Sequence, residues 1–579
     1  MTVDVHIIVA MYIDVVPNRN SRPAVLLREA WREGKRIRKR TIANLTDWPP
    51  QQVEALRRLL KGQTLLPADE VFVIKRSLPH GHVAAILKAI QILGLDKVIS
   101  SRRCRQRDLV VAMLVEQLLH SQSKLAATRL WHTTTLAEEL SVADADENEL
   151  YAALDWLLAR QPQIEKKLAK RHLSDGSTVL YDVSSSYYEG RRCPLARYGN
   201  SKDKKKGKPI IVYGVMTDGE GRPVAMDVYP GHTGDPATVV DQVDKLRRRF
   251  GLSRVLLAGD RGMLTQARIT ALREHPELGW ISALRTEGIR DLVEGGSLQM
   301  SLFDQQNLAE ITSPDYPDER LIACMNPLLR DERRRKRQEL LAATEALLAG
   351  ISRQVARRTK TPLDRSEIGV KVGRVINRYK MAKHFELEIG DGSLHWERNS
   401  ETIAREAALD GLYVIRTSEP AAGLSAADAV RTYKSLSQVE RLFRTLKGVE
   451  VQVRPIRHRT ADHVRAHILL CVLAYYIEWH MRRAWAPLLY DDETLGIDRW
   501  QRDPILPAQP SATALSKKAT GRTDEGLPLH SFTTLLEELA TCCRNRCAMV
   551  TGSSEATFDR LTERTLLQRR AMEMLKCTQ

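Results

Sequence analysis

Eight cysteines in 579 residues are too few and too scattered to staple a fold. Five stand alone, at Cys104, Cys193, Cys324, Cys471 and Cys577, and three cluster at Cys542, Cys543 and Cys547. The cluster has neither a second CxxC nor a histidine at zinc spacing, so it does not read as a metal knuckle. Long apolar runs are missing too. The longest, residues 468–477, is about half of the ~20 residues a membrane helix needs, and it reads as a buried core helix. The opening stretch MTVDVHIIVAMYIDVV has no basic head and carries Asp4, which is unlike a secretory leader. A disulfide scaffold, a zinc ribbon and a membrane span are thereby excluded, and a soluble intracellular protein is expected.

What is plentiful is basic charge. Lys and Arg number 89 against 72 Asp and Glu, leaving +17. Such an excess suits a polyanion, because each phosphate neutralised releases a condensed counterion. An ordinary basic protein would look the same by this measure alone. Apolar residues at 43% and charged residues at 28% are the balance of a globular chain, and its length calls for three or four cores.

The pattern changes along the chain. Residues 5–15, 24–31 and 36–45 alternate loosely between apolar and polar, with turn signals between them, and predict a small antiparallel sheet within a β-rich segment 1–50. Its edge carries Arg28, Arg32, Lys35, Arg36, Arg38, Lys39 and Arg40, either a DNA-contacting ribbon or a solvated face. Residues 51–175 turn helical. Short helices at 125–131 and 136–140, inside 123–158, fit a helix-turn-helix or a generic bundle.

From 176 to 285 the order is strand (178–184), hairpin strands (209–217 and 223–229), helix (235–250), strand (254–258), helix (264–274) and strand (279–284). Three strands in a meander, followed by alternating helices and strands, is the order of an α/β fold of the RNase H-like kind, a mixed sheet flanked by helices. Residues 286–420 are too long for a loop and must carry structure of their own, including a charged helix over 331–350. Helical periodicity resumes over 421–490, and a C-terminal tail, 491–579, is expected to be loose to 517 and then to form helices near 535–547 and 558–575.

Two acids interrupt or end apolar strands: Asp182 in VLYDV and Asp260 in VLLAGD. A carboxylate in a central strand is costly to desolvate unless something positive neutralises it, and either a divalent ion or a buried arginine would serve. A third acid, Glu440, lies in YKSLSQVERLFRTLK with Tyr433 and Lys447 seven residues to either side. One helix would bring all three near one face, leaving Leu436, Val439, Phe443 and Leu446 to pack. Trp280 and Trp396 suit either core packing or stacking on a base.

On these residues the chain resembles the insertion-sequence DDE transposases of bacteria. More narrowly it is similar to the insertion-sequence-four superfamily, whose signature is Tyr, two residues, Arg, three residues, Glu, six residues, Lys. Tyr433, Glu440 and Lys447 match it, and Leu436 stands where the Arg is expected, with Arg441 or Arg444 as substitutes for the lost phosphate contact. GHTGDPATV, at 231–239, resembles another stretch of that family. The resemblance implies an RNase H-like catalytic core split by a mainly β insertion domain at 286–420, with an N-terminal α+β DNA-binding region.

It also implies two Mg²⁺ or Mn²⁺ ions held by Asp182, Asp260 and Glu440, with no covalent enzyme–DNA intermediate. DNA contacts are expected from Tyr433, Lys447, Arg441, Arg444 and the loop lysines Lys204, Lys205 and Lys206. The partners implied are terminal inverted repeats, target DNA and a second copy of the chain in a synaptic complex, in a bacterial cytoplasm close to the nucleoid. A nuclease without strand transfer and a transposase-derived DNA-binding protein are the competing readings.

Overall fold

The computed structural model describes residues 10–19, 21–63, 72–203, 205–275, 278–549 and 557–577, which fall into two compact units. The first takes residues 1–78 and 543–562. Its antiparallel sheet joins β1 (Ala10–Val16), β2 (Ala24–Glu33) and β3 (Arg36–Asn44), as the alternation predicts, though positions 5–9 of the expected first strand lie outside the described residues. Glu33 pairs with Arg36 across a two-residue turn, and Gly34 supplies its positive φ of 62°. A second sheet sets β4 (Phe72–Pro79) beside a hairpin of Cys543–Met549 and Thr557–Leu561. That hairpin corrects the expected all-helical tail. Helices do form, at Phe532–Ala540 and Leu566–Met574, but the chain between them is recruited by pairing with a distant strand, which local periodicity cannot register. The stretch expected to be loose also holds helices, Leu495–Gln501 and Ala512–Thr520.

In the second unit, helices α1 (Arg105–Leu119), α2 (Glu147–Ala159) and the late helix Ala461–Trp485 share one core. Residues 109–118 are buried without a break, so α1 is enclosed on every side. The apolar run 468–477 lies inside that late helix and is wholly buried, as expected. Among the described residues no helix is long and apolar enough to cross a membrane. The suspected helix-turn-helix does contain short helices, Lys124–Leu130 and Leu136–Leu140. The second buries Leu136 and Ala137 and carries Glu138 and Glu139, so it presents no basic recognition face.

The central sheet has eight strands. A meander of β5 (Ser177–Tyr187), β6 (Ile210–Asp218) and β7 (Pro223–Pro230) is antiparallel, and β8 (Val255–Gly259) and β9 (Leu278–Ala283) run parallel to β5. The order β7-β6-β5-β8-β9, with helices on both faces, is the RNase H-like arrangement. Along β5, Val179, Tyr181 and Val183 pack into one core while Leu180 joins the helical core opposite. Asp182 points to the second side from the middle of the strand.

The segment 286–420 corrects the expectation of a mainly β insertion. Helix α3 (Thr286–Glu294) follows β9, and then β10 (Leu308–Ile311) and β11 (Arg320–Met325). The 31-residue helix α4 (Pro327–Arg357) comes next, and then a second helix, Arg365–Arg378. A small hairpin of β12 (Phe385–Gly390) and β13 (Ser393–Arg398) precedes helix α5 (Ser400–Ala407) and β14 (Leu412–Thr417). β10, β11 and β14 extend the central sheet. The helices and hairpin close around Leu341, Leu348, Ile351, Ile368, Val372 and Phe385. A stretch so rich in Arg, Glu, Leu and Ala favours helix locally, and that preference prevails.

Candidate active site

Strand pairing brings the first two acids together. Tyr181 is level with Gly259 across the parallel β5–β8 pair, so Asp182, midway along β5, stands beside Asp260, the first residue past the carboxyl end of β8. Open α/β sheets take their ligands at the carboxyl edge. Each carboxylate accepts a backbone N–H from its successor, Val183 at 2.7 Å and Arg261 at 2.7 Å. Burial pushes the Asp182 carboxyl up to about 6; Asp260 and Asp235 add to the shift, and Lys202 and the Val183 N–H oppose it. Among the described residues no cation lies within ion-pair distance of Asp182.

Asp235 and Lys202 were not foreseen. Lys202 donates its backbone N–H to Ser185 Oγ at 3.0 Å, and its ammonium reaches the Val183 carbonyl and Asp235 Oδ2, the latter at 3.1 Å. It therefore holds a positive charge beside the acids without pairing directly with Asp182. The sequence places Asp235 at the start of the helix expected over 235–250 and Lys202 in the lysine-rich run 201–208, which reads as a phosphate-tracking or solvated loop, so neither is marked as a neighbour of the acids.

The helix expected over 433–447 is two. α6 (Ala426–Lys434) ends at Ser435, whose hydroxyl bonds back to the Thr432 carbonyl at 2.6 Å, and α7 (Leu436–Lys447) starts after it. Such back-bonding bends helices. Tyr433 consequently aims its hydroxyl at Asp260 Oδ1, 3.4 Å away, and burial with the charges of Asp260 and Glu440 raises its pKa. Glu440 is exposed on α7, close enough to act on Tyr433. The outward Glu440 is matched by an inward Leu436, which with Val439, Leu442, Phe443 and Leu446 seals α7 to the helical core.

Lys447 is turned to another acid. Its ammonium lies 2.9 Å from Asp203 Oδ1, where Arg454 also donates at 2.5 Å, and the Tyr187 N–H reaches Oδ2 at 3.0 Å. Asp203, 1% exposed at its side chain, is the single acid in the run SKDKKKGK, and that oddity is the signal the sequence offered. Burial lowers the Lys447 pKa and Asp203 opposes the change. Arg441, Arg444, Lys205 and Lys206 are exposed, and Arg441 and Arg444 make no ion pair among the described residues; Lys204 lies outside the described residues. Trp280 is buried, and Trp396 packs edge-on to Phe385 with its indole N–H on Ser352, so both serve cores.

The donor chemistry suits a hard divalent cation: oxygen ligands only, with an under-neutralised buried carboxylate at their centre. Asp182 and Asp260 form the assembled half. Among the described residues no three His, Cys, Asp or Glu side chains are gathered about one point, and Glu440 is linked to the pair through Tyr433.

Residues 174–477 match the family described as Transposase DDE domain, and residues 13–68 match that described as IS1634 family transposase, N-terminal domain. Among solved structures, a cryo-EM structure of the piggyBac transposase synaptic complex with hairpin DNA is similar at TM-score 0.34 and 11% identity, over 79% of this chain and 76% of that one. No curated protein matches.

Proposed function

We propose that this chain, which belongs to the Transposase DDE domain family, excises an insertion sequence at its terminal inverted repeats and joins the freed ends to target DNA. Family membership makes it a DNA-binding, DNA-cleaving enzyme that depends on divalent metal. Mg²⁺ or Mn²⁺, as a pair of ions, is the choice the all-oxygen donors favour. When bound, such ions polarise the scissile phosphate and make water or a 3′-hydroxyl nucleophilic. The observation that carries the reading is the side-by-side placement of Asp182 and Asp260, with no cation among the described residues within ion-pair distance of the buried Asp182.

Each side chain then has a task. Asp182 and Asp260 hold the metal. Glu440 completes the ligand set from α7, and Tyr433 fixes the orientation of Asp260 through its hydroxyl. Lys447 and Arg454 face a buried carboxylate at hydrogen-bond distance, which is the geometry a phosphate oxygen requires, so an incoming strand would take over from Asp203. Arg441 and Arg444 supply further phosphate contacts where Leu436 supplies none. Two ends must be cut and joined together, which calls for a dimer.

The test is a cleavage and joining assay on terminal-repeat DNA with Mg²⁺. Ala at Asp182, Asp260 or Glu440 is expected to lower both activities by about a thousandfold or more while repeat binding persists. Cleavage at wild-type rate in any one variant removes that residue from the site. Cleavage without joining in the unaltered chain would favour a nuclease.

A further inference from the structure

A second constellation lies at the same edge of the central sheet. Continuing the β8–β9 register, in which Ala258 faces Ile281, puts Asp260 level with Ala283, and α3 begins three residues later. β11 runs parallel to β9 because each is antiparallel to β14, so α4, which starts just after β11, leaves from that edge as well. β14 enters from it, directly after α5 and Asp410. Between α3, α4 and α5 lies a cavity of about 590 Å³.

Its charge is lopsided. Arg290, Arg333, Lys336, Arg337, Lys383 and Arg405 line it against only Glu406 and Asp410. Both acids are already engaged: Asp410 holds the Arg337 guanidinium through two hydrogen bonds, and Glu406 is shared by Lys383 and His384, the latter at 3.0 Å. Arg337 is 6% exposed and held rigidly, and its Nε has no partner. Arg290 and Arg333 make no ion pair among the described residues. Lys336 and Arg405 touch only exposed acids one turn away, contacts worth little in water. A rigid buried guanidinium in a cavity ringed by Arg290, Arg333, Lys336 and Arg405, none of them held by a buried acid, has the chemistry of a phosphate site.

We propose that this cavity binds the backbone phosphate of a DNA duplex whose cut strand lies at Asp182 and Asp260. This rests on the transposition reading for the identity of the polyanion. The cavity lies beyond the edge where β9 and β11 end and β14 begins, one to three strand spacings from β8, or roughly 5–15 Å sideways, with its α4 residues about two to three turns further out. A strand at the carboxylates reaches it within a few nucleotides. The insertion thus has a task beside the catalytic site: to hold the duplex that flanks the cut.

The experiment measures binding of a fluorescein-labelled duplex to the full chain in EDTA, so it stands whether or not the carboxylates cleave. R290Q/R333Q removes two exposed cations, and K336Q/R405Q removes an independent pair. Each is expected to weaken binding about tenfold and to lower the slope of log K against log salt by about two. The control R334Q/R353Q takes the same charge from other positions of α4 and is expected to change both far less. A control loss as large as that of the cavity variants would overturn the site in favour of general surface charge. Wild-type affinity and slope in both cavity variants would also overturn it. A parallel arm follows thermal protection by tripolyphosphate: if R290Q/R333Q loses that protection while duplex binding is unchanged, the ligand is a free phosphate compound and the DNA assignment falls.

Discussion

Asp182 and Glu319 are acids of the same eight-stranded sheet, set toward opposite ends of its strands, and they are furnished in opposite ways. Glu319, which precedes β11, is 1% exposed at its side chain. It receives two hydrogen bonds from Arg416, at 2.7 and 2.6 Å, and one from Arg273 at 3.3 Å. Arg416 is braced in turn by the rings of Tyr316 and Trp280 and by Gln266. Asp182 has a single backbone donor and two other carboxylates for neighbours, and the cation that offsets it, Lys202, is bonded instead to Asp235 and the Val183 carbonyl. An acid that only supports the fold brings its own cations, because an unpaired buried charge is too costly to keep. One that is left short of positive charge, as Asp182 is, fits the proposed role of metal ligand.

Exchanging the two losses would break the contrast most sharply. Asp182→Ala should lose cleavage by about a thousandfold while urea unfolding shows stability equal to or above the parent, since it removes a carboxylate disfavoured first by burial and then by its acidic neighbours. Glu319→Gln should do the reverse: unfolding stability falls by about 3–5 kcal/mol, and cleavage per folded molecule stays near that of the parent. Instability from the first, or intact stability from the second, would refute the division.

Glu478, fully buried and hydrogen-bonded to Arg482 at 2.7 Å, is an intermediate case. Burial raises its carboxyl to about 7, with Arg482 opposing. Its folded pKa lies above the unfolded value near 4.5, so between those limits the folded chain keeps a proton the unfolded chain has lost. Stability should therefore fall as pH rises from 4.5 to 7, by about 2–3 kcal/mol, and Glu478→Gln should flatten that slope in denaturant titrations across the window. The smallest effect is expected at Asp203→Asn. Freed of its charge, Lys447 and Arg454 should bind duplex about three- to tenfold more tightly at low salt, with a steeper salt dependence; unchanged binding would mean they never meet phosphate.

Much of the catalytic core was legible because its strands are short apolar runs set off by turn residues, and every strand of 178–284 falls within a few residues of its expected place. The pairing of Asp182 with Asp260 followed from that order. What escaped was decided by side-chain contacts, local or distant, that apolar periodicity does not record. The Ser435 break depends on a hydroxyl folding back onto its own helix, inside a heptad spacing that looks continuous. Asp203 finds Lys447 and Arg454 some 250 residues away, and its oddity as the lone acid of a lysine run marks the residue without naming those partners. The insertion went wrong for a different cause: the family resemblance suggested β where the local composition already favoured helix.

The enclosure of α1 has a consequence in time. Its walls include α8 (Ala461–Trp485), whose sequence begins more than 340 residues after α1 ends. At roughly 5–20 residues per second, a ribosome leaves α1 without that cover for about 20–70 s. During that interval an apolar rod awaits its partner and invites chaperones or aggregation. The helix that covers it follows directly on the segment bearing Glu440, Lys447 and Arg454, so the helical core closes and Glu440, the last of the three proposed metal ligands, is seated in the same late stage of synthesis. A nascent chain stopped short of residue 461 would have neither, and its α1 should remain open to proteolysis until α8 is made.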